Sequence, residues 1–295
     1  MPRIDGVSEQ APTRFRLDIA YQGTDFNGWA RQPGARTVQG ELEAALATIL
    51  RKHGTAPQLT VAGRTDAGVH AVGQVAHVDL DPGQVAALLK PRGGHTPTDA
   101  GVALARRING ILGPVPDIVV SAATIAPDGF DARFSAIWRR YEYRVADAVA
   151  RRDPLQRHRT AWVPIPLDVE AMDAAALGLL GLHDFGSYCK QREGATTIRT
   201  LQGFAWRRDD DGVLVGEVRA DAFCHSMVRA LVGACVAVGQ GKLAANDLVQ
   251  LRDAKERTSA FAVMPARGLT LMEVGYPDDV GLAIRALQTR ALRSL

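Results

Sequence analysis

The chain has 295 residues, 46% of them hydrophobic, and 35 Lys and Arg against 32 Asp and Glu give a formal net charge of +3. That is enough apolar content for one large domain or two ordinary ones, and too little net charge for a polybasic tail, so an anionic partner must be met by locally clustered arginines. The three cysteines contain no CxxC pair, which argues against zinc and redox sites and fits a reducing, intracellular setting, and no apolar run is long enough to span a membrane.

Residues 1–13 carry Arg3, Asp5 and Glu9 without an apolar signal region and read as a short disordered leader of a cytoplasmic protein. From Arg14, Phe15, Leu17, Ile19 and Tyr21 alternate with polar residues, which predicts a half-buried strand. Residues 22–36 are polar and glycine-rich yet hold Phe26, Trp29 and Arg31, the composition of a functional loop. Thr37 is placed to cap a helix with the stripe Leu42, Ala45, Leu46, Ile49 and Leu50, ended by Gly54. Residues 59–62 read as a strand, 63–73 as a turn, and 74–80 as a strand with Ala76, Val78 and Leu80 on one face and Val75, His77 and Asp79 on the other. After a Pro/Gly/Thr-rich interruption at 91–98, a helix through Leu104, Ile108 and Ile111 and a strand at 117–126 complete a β-α-β-β-α-β order, that of an α+β, ferredoxin-like unit.

The second half repeats this content. It has a strand at 141–145, a helix at 167–180, a hairpin turning at Asp210-Asp211-Gly212, a very apolar helix at 223–238, a polar helix at 244–254 and a strand at 269–276. Two α+β domains are expected, 14–126 and 127–295.

Chemistry concentrates in Gly63-Arg64-Thr65-Asp66-Ala67-Gly68-Val69-His70-Ala71, between two strands. Its glycines permit tight backbone approach around a polar cluster, which fits either a surface turn with an incidental ion pair or a reactive carboxylate. A nucleophilic Asp66 needs a fixed cation beside it, and Arg64 or Arg229 qualifies. Arg229 has no acid three or four residues away on its apolar helix, so it either pairs with a distant anion such as Asp66 or reaches out to water. Residues 131–144 interleave arginines with Phe134, Trp138, Tyr141 and Tyr143, and Arg151, Arg152, Arg157 and Arg159 follow; the pattern suits phosphate contact and base stacking in RNA, or a strand with tyrosines inward and arginines outward. His70, His77 and His225 lack metal-ligand spacing, and no phosphate-binding glycine motif is present.

The segment 63–71 resembles the signature of the tRNA pseudouridine synthase A family. The similarity extends over nearly the whole chain, through Tyr21-Gln22-Gly23-Thr24, Gly28-Trp29, Thr37-Val38-Gln39, Ala132-Arg133-Phe134-Ser135-Ala136, Arg140-Tyr141-Glu142-Tyr143, His183-Asp184-Phe185, Met227-Val228-Arg229 and Gly268-Leu269-Thr270-Leu271. The resemblance implies two ferredoxin-like halves joined in a central antiparallel sheet flanked by helices and loops. It implies isomerisation of uridine to pseudouridine at positions 38–40 of the tRNA anticodon stem-loop by a homodimer without cofactor or metal. Asp66 matches the family's nucleophile, Tyr141 the tyrosine that stacks on the target base, and Arg229 the arginine paired with the aspartate. Arg64 joins the substrate-binding set, and the leucine lining the base pocket falls at Leu271 or Leu269. Cys224 and the 91–99 stretch depart from the family pattern. Two other functions fit Asp66 less well: a non-catalytic RNA-binding module, and a hydrolase pairing Asp66 with a second acid at Asp79 or Asp184.

Overall fold

The computed structural model describes residues 11–91, 96–114, 116–190, 196–256 and 258–290. Most of the expected leader and part of the 91–99 stretch lie outside these residues.

The first strand, β1 (Thr13–Tyr21), buries Phe15, Leu17, Ile19 and Tyr21 as the alternation requires. It begins one residue inside the expected leader. Helix α1 (Val38–Leu50) starts at Thr37, whose side chain accepts a hydrogen bond from the Gly40 amide at 3.2 Å, and buries Val38, Leu42, Ala45, Leu46 and Leu50. It stops at Arg51, three residues before Gly54. Then come β2 (Thr60–Val61), β3 (His70–Leu80), α2 (Pro82–Leu88), α3 (Ala100–Leu112) and β4 (Ile118–Ile125).

Strand β3 departs from the expected alternation, because Val75, Ala76, His77 and Val78 are all buried. The second face is covered where the Ala132 amide donates to His77 Nδ1 at 3.0 Å and Phe130 meets the His77 ring edge-on. The strand also starts at His70, so the expected turn is four residues shorter than 63–73.

The second half contains β5 (Trp138–Ala146), β6 (Ala161–Trp162), α4 (Val169–Leu177), β7 (Gly181–Asp184), β8 (Ile198–Arg208), β9 (Leu214–Ala220), α5 (Met227–Gly239), α6 (Ala245–Ala254), β10 (Leu269–Gly275) and α7 (Leu282–Arg290). Every residue of α5 except Arg229 is buried. A helix apolar on all sides must be enclosed, and α4 and α6 pack against it. The expected helix at 223–238 begins four residues late because Ser226 sits at φ 63, a left-handed conformation that no α-helix passes through.

One ten-stranded sheet runs in the order β4-β1-β3-β10-β5-β9-β8-β7, with β2 on β3 and β6 on β5. Pairing is antiparallel except at β10–β3 and β5–β6. Each half has the ferredoxin-like strand order, with β2 beside β3 in one and β10-β5-β9-β8 in the other. The fold is therefore α+β, a large and mostly antiparallel sheet flanked by helices. The last strand, β10, pairs with β3 through Thr270 opposite His70 and Leu271 opposite Ala71, and with β5 through Leu271 opposite Tyr141. This seam brings the 63–69 loop alongside Tyr141.

Candidate active site

The loop between β2 and β3 is held from several directions. Gln74 Nε2 donates to the Gly63 carbonyl at 2.9 Å and to the Tyr21 hydroxyl at 3.2 Å, and that hydroxyl meets Thr65 Oγ1 at 2.8 Å. The Trp29 amide donates to the Thr65 carbonyl at 3.0 Å, and the Gly68 amide to the Phe26 carbonyl at 3.2 Å. Trp29 and Phe26 are buried, so the 22–36 loop is a packed collar around the site. Gly28 makes this approach possible: its φ is +90, and a β-carbon would lie 2.9 Å from the Thr65 carbonyl oxygen. Burial pushes the Tyr21 hydroxyl up to about 12, so it stays protonated and serves the network as a neutral group.

His70 closes the loop. Its Nδ1 accepts from the Gly23 amide at 2.9 Å, which leaves Nε2 to donate to the carbonyls of His158 at 2.7 Å and Arg267 at 3.2 Å. Burial lowers the pKa of both His70 and His77 below 6.5. The folded protein then binds fewer protons than the unfolded chain just below pH 6.5, so this stability is fully present above that pH and lost as pH falls through the window. Thermal midpoints are expected to drop from pH 7.5 to 5.5, with a slope of at most about 1.4 kcal/mol per pH unit for each histidine. The His77→Gln variant should flatten the curve in differential scanning calorimetry; an unchanged slope would contradict this assignment.

Asp66 is part-exposed at 29% and three side chains from the far half converge on it. Ser226 Oγ donates to Oδ2 at 3.3 Å, His225 Nε2 lies 3.5 Å from Oδ1, and Arg229 Nη1 lies 3.9 Å from Oδ2. Arg229 is anchored by its Nε donating to the Met264 carbonyl at 2.7 Å. Of the two cations considered for Asp66, the structure brings up Arg229; Arg64 is exposed and forms no ion pair with Asp66. His225 and Ser226 stand in the turn before α5 rather than on the helix. Ser226 was missed as a contact although a serine ahead of an apolar helix is a recognisable cap signal; here its hydroxyl turns to Asp66 instead of capping.

Tyr141 is 8% exposed, and the Phe223 ring meets it edge-on at 5.2 Å. Burial, chiefly, raises its pKa, and the nearby Asp66 charge adds to the shift. Its hydroxyl therefore remains protonated near neutrality. Leu271 is fully buried directly across from Tyr141, whereas Leu269 pairs with Tyr143, so Leu271 is the leucine beside the aromatic wall. A cleft of about 420 Å³ opens next to this ground, lined by Tyr21, His70, Leu155, His158 and Arg159 among others; Asp66 is not among its lining residues.

The arginine–aromatic alternation resolves as a sheet pattern. Tyr141 and Tyr143 point into the core, while Arg140 pairs with Glu217 at 3.2 Å and Glu273 at 3.1 Å, and Arg144 with Asp209 and Asp211 at 3.4 and 3.3 Å. Neither proposed second acid serves Asp66. Asp79 is bonded to Arg14 at 2.7 Å near the far end of β3, and Asp184 accepts from Thr197 Oγ1 at 2.5 Å and from the Gly186 amide at 3.0 Å. Cys189 and Cys224 are brought together with their Cα atoms 5.8 Å apart, and Cys235 is buried. The Lys190 amide donates to the His225 carbonyl at 3.0 Å, so two segments distant in sequence meet there, which spacing alone does not reveal.

Residues 175–277 match a family model described as tRNA pseudouridine synthase. Proteins named tRNA pseudouridine synthase A match almost end to end. One from Leifsonia xyli is 74% identical, covering 98% of this chain and all of its own. One from Frankia casuarinae is 54% identical over 95% of each chain, and one from Mycobacterium leprae 49% identical over 100% of this chain and 99% of its own. Identity of that extent, over a chain whose Asp66 loop meets Ser226, His225 and Arg229, leaves one conclusion: this protein belongs to the tRNA pseudouridine synthase A family.

Proposed function

We propose that this protein isomerises uridine to pseudouridine at positions 38–40 of the tRNA anticodon stem-loop, with Asp66 as the nucleophile. The observation that carries the reading is the Asp66 carboxylate, held part-exposed among Ser226, His225 and Arg229 beside the Tyr141–Phe223 pair. In the reaction the C1′–N1 bond breaks, a C1′–C5 bond forms, C5 loses its proton and N1 gains one. The atoms balance without a redox or hydrolytic step. A carboxylate able to attack the sugar or the pyrimidine ring, and a surface that holds the detached base while it turns, are sufficient.

Arg229 and the Ser226 hydroxyl hold the Asp66 carboxylate aimed. The target uridine is stacked in the RNA and has to be flipped out, and the Tyr141 ring, backed by buried Leu271, offers the face that replaces its lost stacking. Exposed Arg64, Arg133 and Arg157 are available to the phosphates around it. A tRNA substrate supports a cytoplasmic setting. We further propose that it acts as a homodimer, and sedimentation equilibrium decides between one copy and two.

Tyr141→Phe keeps the ring and removes a hydroxyl that stays protonated, so kcat is expected to remain within about tenfold of wild type. Tyr141→Ala removes the stacking face, worth about 1–3 kcal/mol per base, or roughly 5- to 150-fold. A complete loss with phenylalanine would instead assign the hydroxyl to proton transfer. Position is tested by carbodiimide mapping of an unmodified tRNA pool treated with the protein: stops confined to 38–40 support the reading, and stops elsewhere overturn it.

A further inference from the structure

Arg139 is 8% exposed and occupies a core position of β5, two residues before Tyr141 on the same face. A buried guanidinium is ordinarily matched by a carboxylate, and burial here disfavours its charge. Its hydrogen-bond partners are three backbone carbonyls, although the Asp221 carboxylate is near enough to favour the charge. Nη1 donates to Asp221 at 2.7 Å, and Nη2 to Ala62 at 2.8 Å and Arg133 at 3.1 Å. An apolar side chain would fill the same space without a desolvated charge, so the ion is explained by what those carbonyls hold.

They belong to segments far apart in sequence. Ala62 leads directly into the loop bearing Asp66, and Arg139 Nε would lie 3.9 Å from a β-carbon at Gly63. Asp221 leads into Phe223, His225 and Ser226, the last two of which touch Asp66. Arg133 lies in the turn ahead of β5. One planar fork therefore spans the roots of both loops that meet at the carboxylate, which a lysine, with its donors on a single nitrogen, cannot reproduce.

We propose that Arg139 is a positioning residue of the isomerase, setting the placement of the Asp66 carboxylate against Ser226, His225 and Arg229. This rests on the isomerase reading, so wild-type turnover is the reference in every arm. A wild type that forms no pseudouridine removes that reading itself; an active wild type with insensitive Arg139 variants removes only the positioning role.

The test is single-turnover pseudouridine formation at saturating tRNA by Arg139→Lys, Ser226→Ala and the double variant, with tRNA binding and melting measured in parallel. Arg139→Lys is expected to lower the rate about 100-fold, the scale of a small misplacement at a reacting centre, and to change the tRNA Kd by less than about threefold. Ser226→Ala should lower it about tenfold, the loss of one hydrogen bond to a charged group. Because both act on the same contact, Arg139→Lys should cost about tenfold or less when Ser226 is already alanine. Multiplying losses, a rate within threefold of wild type, or a loss that merely follows the folded fraction overturns the proposal. Where Arg139→Lys does not fold, Arg139→Gln enters the same cycle.

Discussion

Asp66→Asn is expected to fold, bind tRNA and form no pseudouridine. The side chain is 29% exposed and its neighbours tolerate an amide: the Ser226 hydroxyl can still donate to the remaining oxygen, and Arg229 keeps its bond to the Met264 carbonyl. Stability should therefore change by no more than about 1 kcal/mol. The amide oxygen is a far poorer nucleophile than a carboxylate, so turnover should fall on the order of 10⁴-fold or more, the scale found when a nucleophile is removed. Retained tRNA affinity in a filter-binding assay would show that the lost step is chemical. Activity near wild type would move the reaction away from Asp66.

Gly23→Ala is expected to damage both stability and turnover. A β-carbon at Gly23 would run into the Val69 carbonyl oxygen, with the Val69 amide only 3.1 Å away, and backbone cannot step aside as a flexible side chain can. The Gly23 amide also holds His70 Nδ1, and the Val69 amide closes a turn onto the Asp66 carbonyl at 3.2 Å. Any relaxation therefore travels into the loop carrying Asp66. Overpacking of this kind costs about 1–3 kcal/mol, and displacement of the carboxylate by a fraction of an ångström should lower kcat about 100-fold. Gly83→Ala is the control: it lies in α2, nothing stands within 4 Å of its β-carbon, and its φ is negative. That variant should melt at or slightly above the wild-type temperature with unchanged kcat. Equal kcat values for the two alanine variants would contradict the proposed rigidity of the loop seat.

Local patterns in the sequence carried the elements whose faces are uniform. Strand β1 and helix α1 each pack one side only, so period two and period 3.6 survive in Phe15 to Tyr21 and in Leu42 to Leu50. The pattern blurs in β3, whose second face is covered at His77 by Phe130 and Ala132, more than fifty residues downstream. The beginning of α5 was obscured because Phe223 and Cys224 are as apolar as the helix and the break depends on one left-handed serine. Helices α2 and α7 are short and bury only Gln84, Ala87 and Leu88, and Leu282 and Ala286, too few positions to stand out in the sequence. At the site, Asp66 and its loop stood out because glycines and polar residues gather within a few positions. Its contact with Ser226 joins residues 160 apart and exists only because β10 pairs with both β3 and β5. The ion pairs of the β5 arginines were illegible for a related reason: Arg140 and Arg144 face carboxylates on β9, β10 and the 209–211 turn, segments that the sequence does not visibly bring to β5.

The most direct measurement is the amount of pseudouridine formed per protein chain when the purified protein acts on unmodified tRNA in EDTA without added cofactor. Asp66 chemistry on this scaffold predicts many turnovers per chain, all within the anticodon arm and none with Asp66→Asn. Tight tRNA binding by the wild type with no pseudouridine formed would contradict it and leave an RNA-binding protein in which Asp66 is structural.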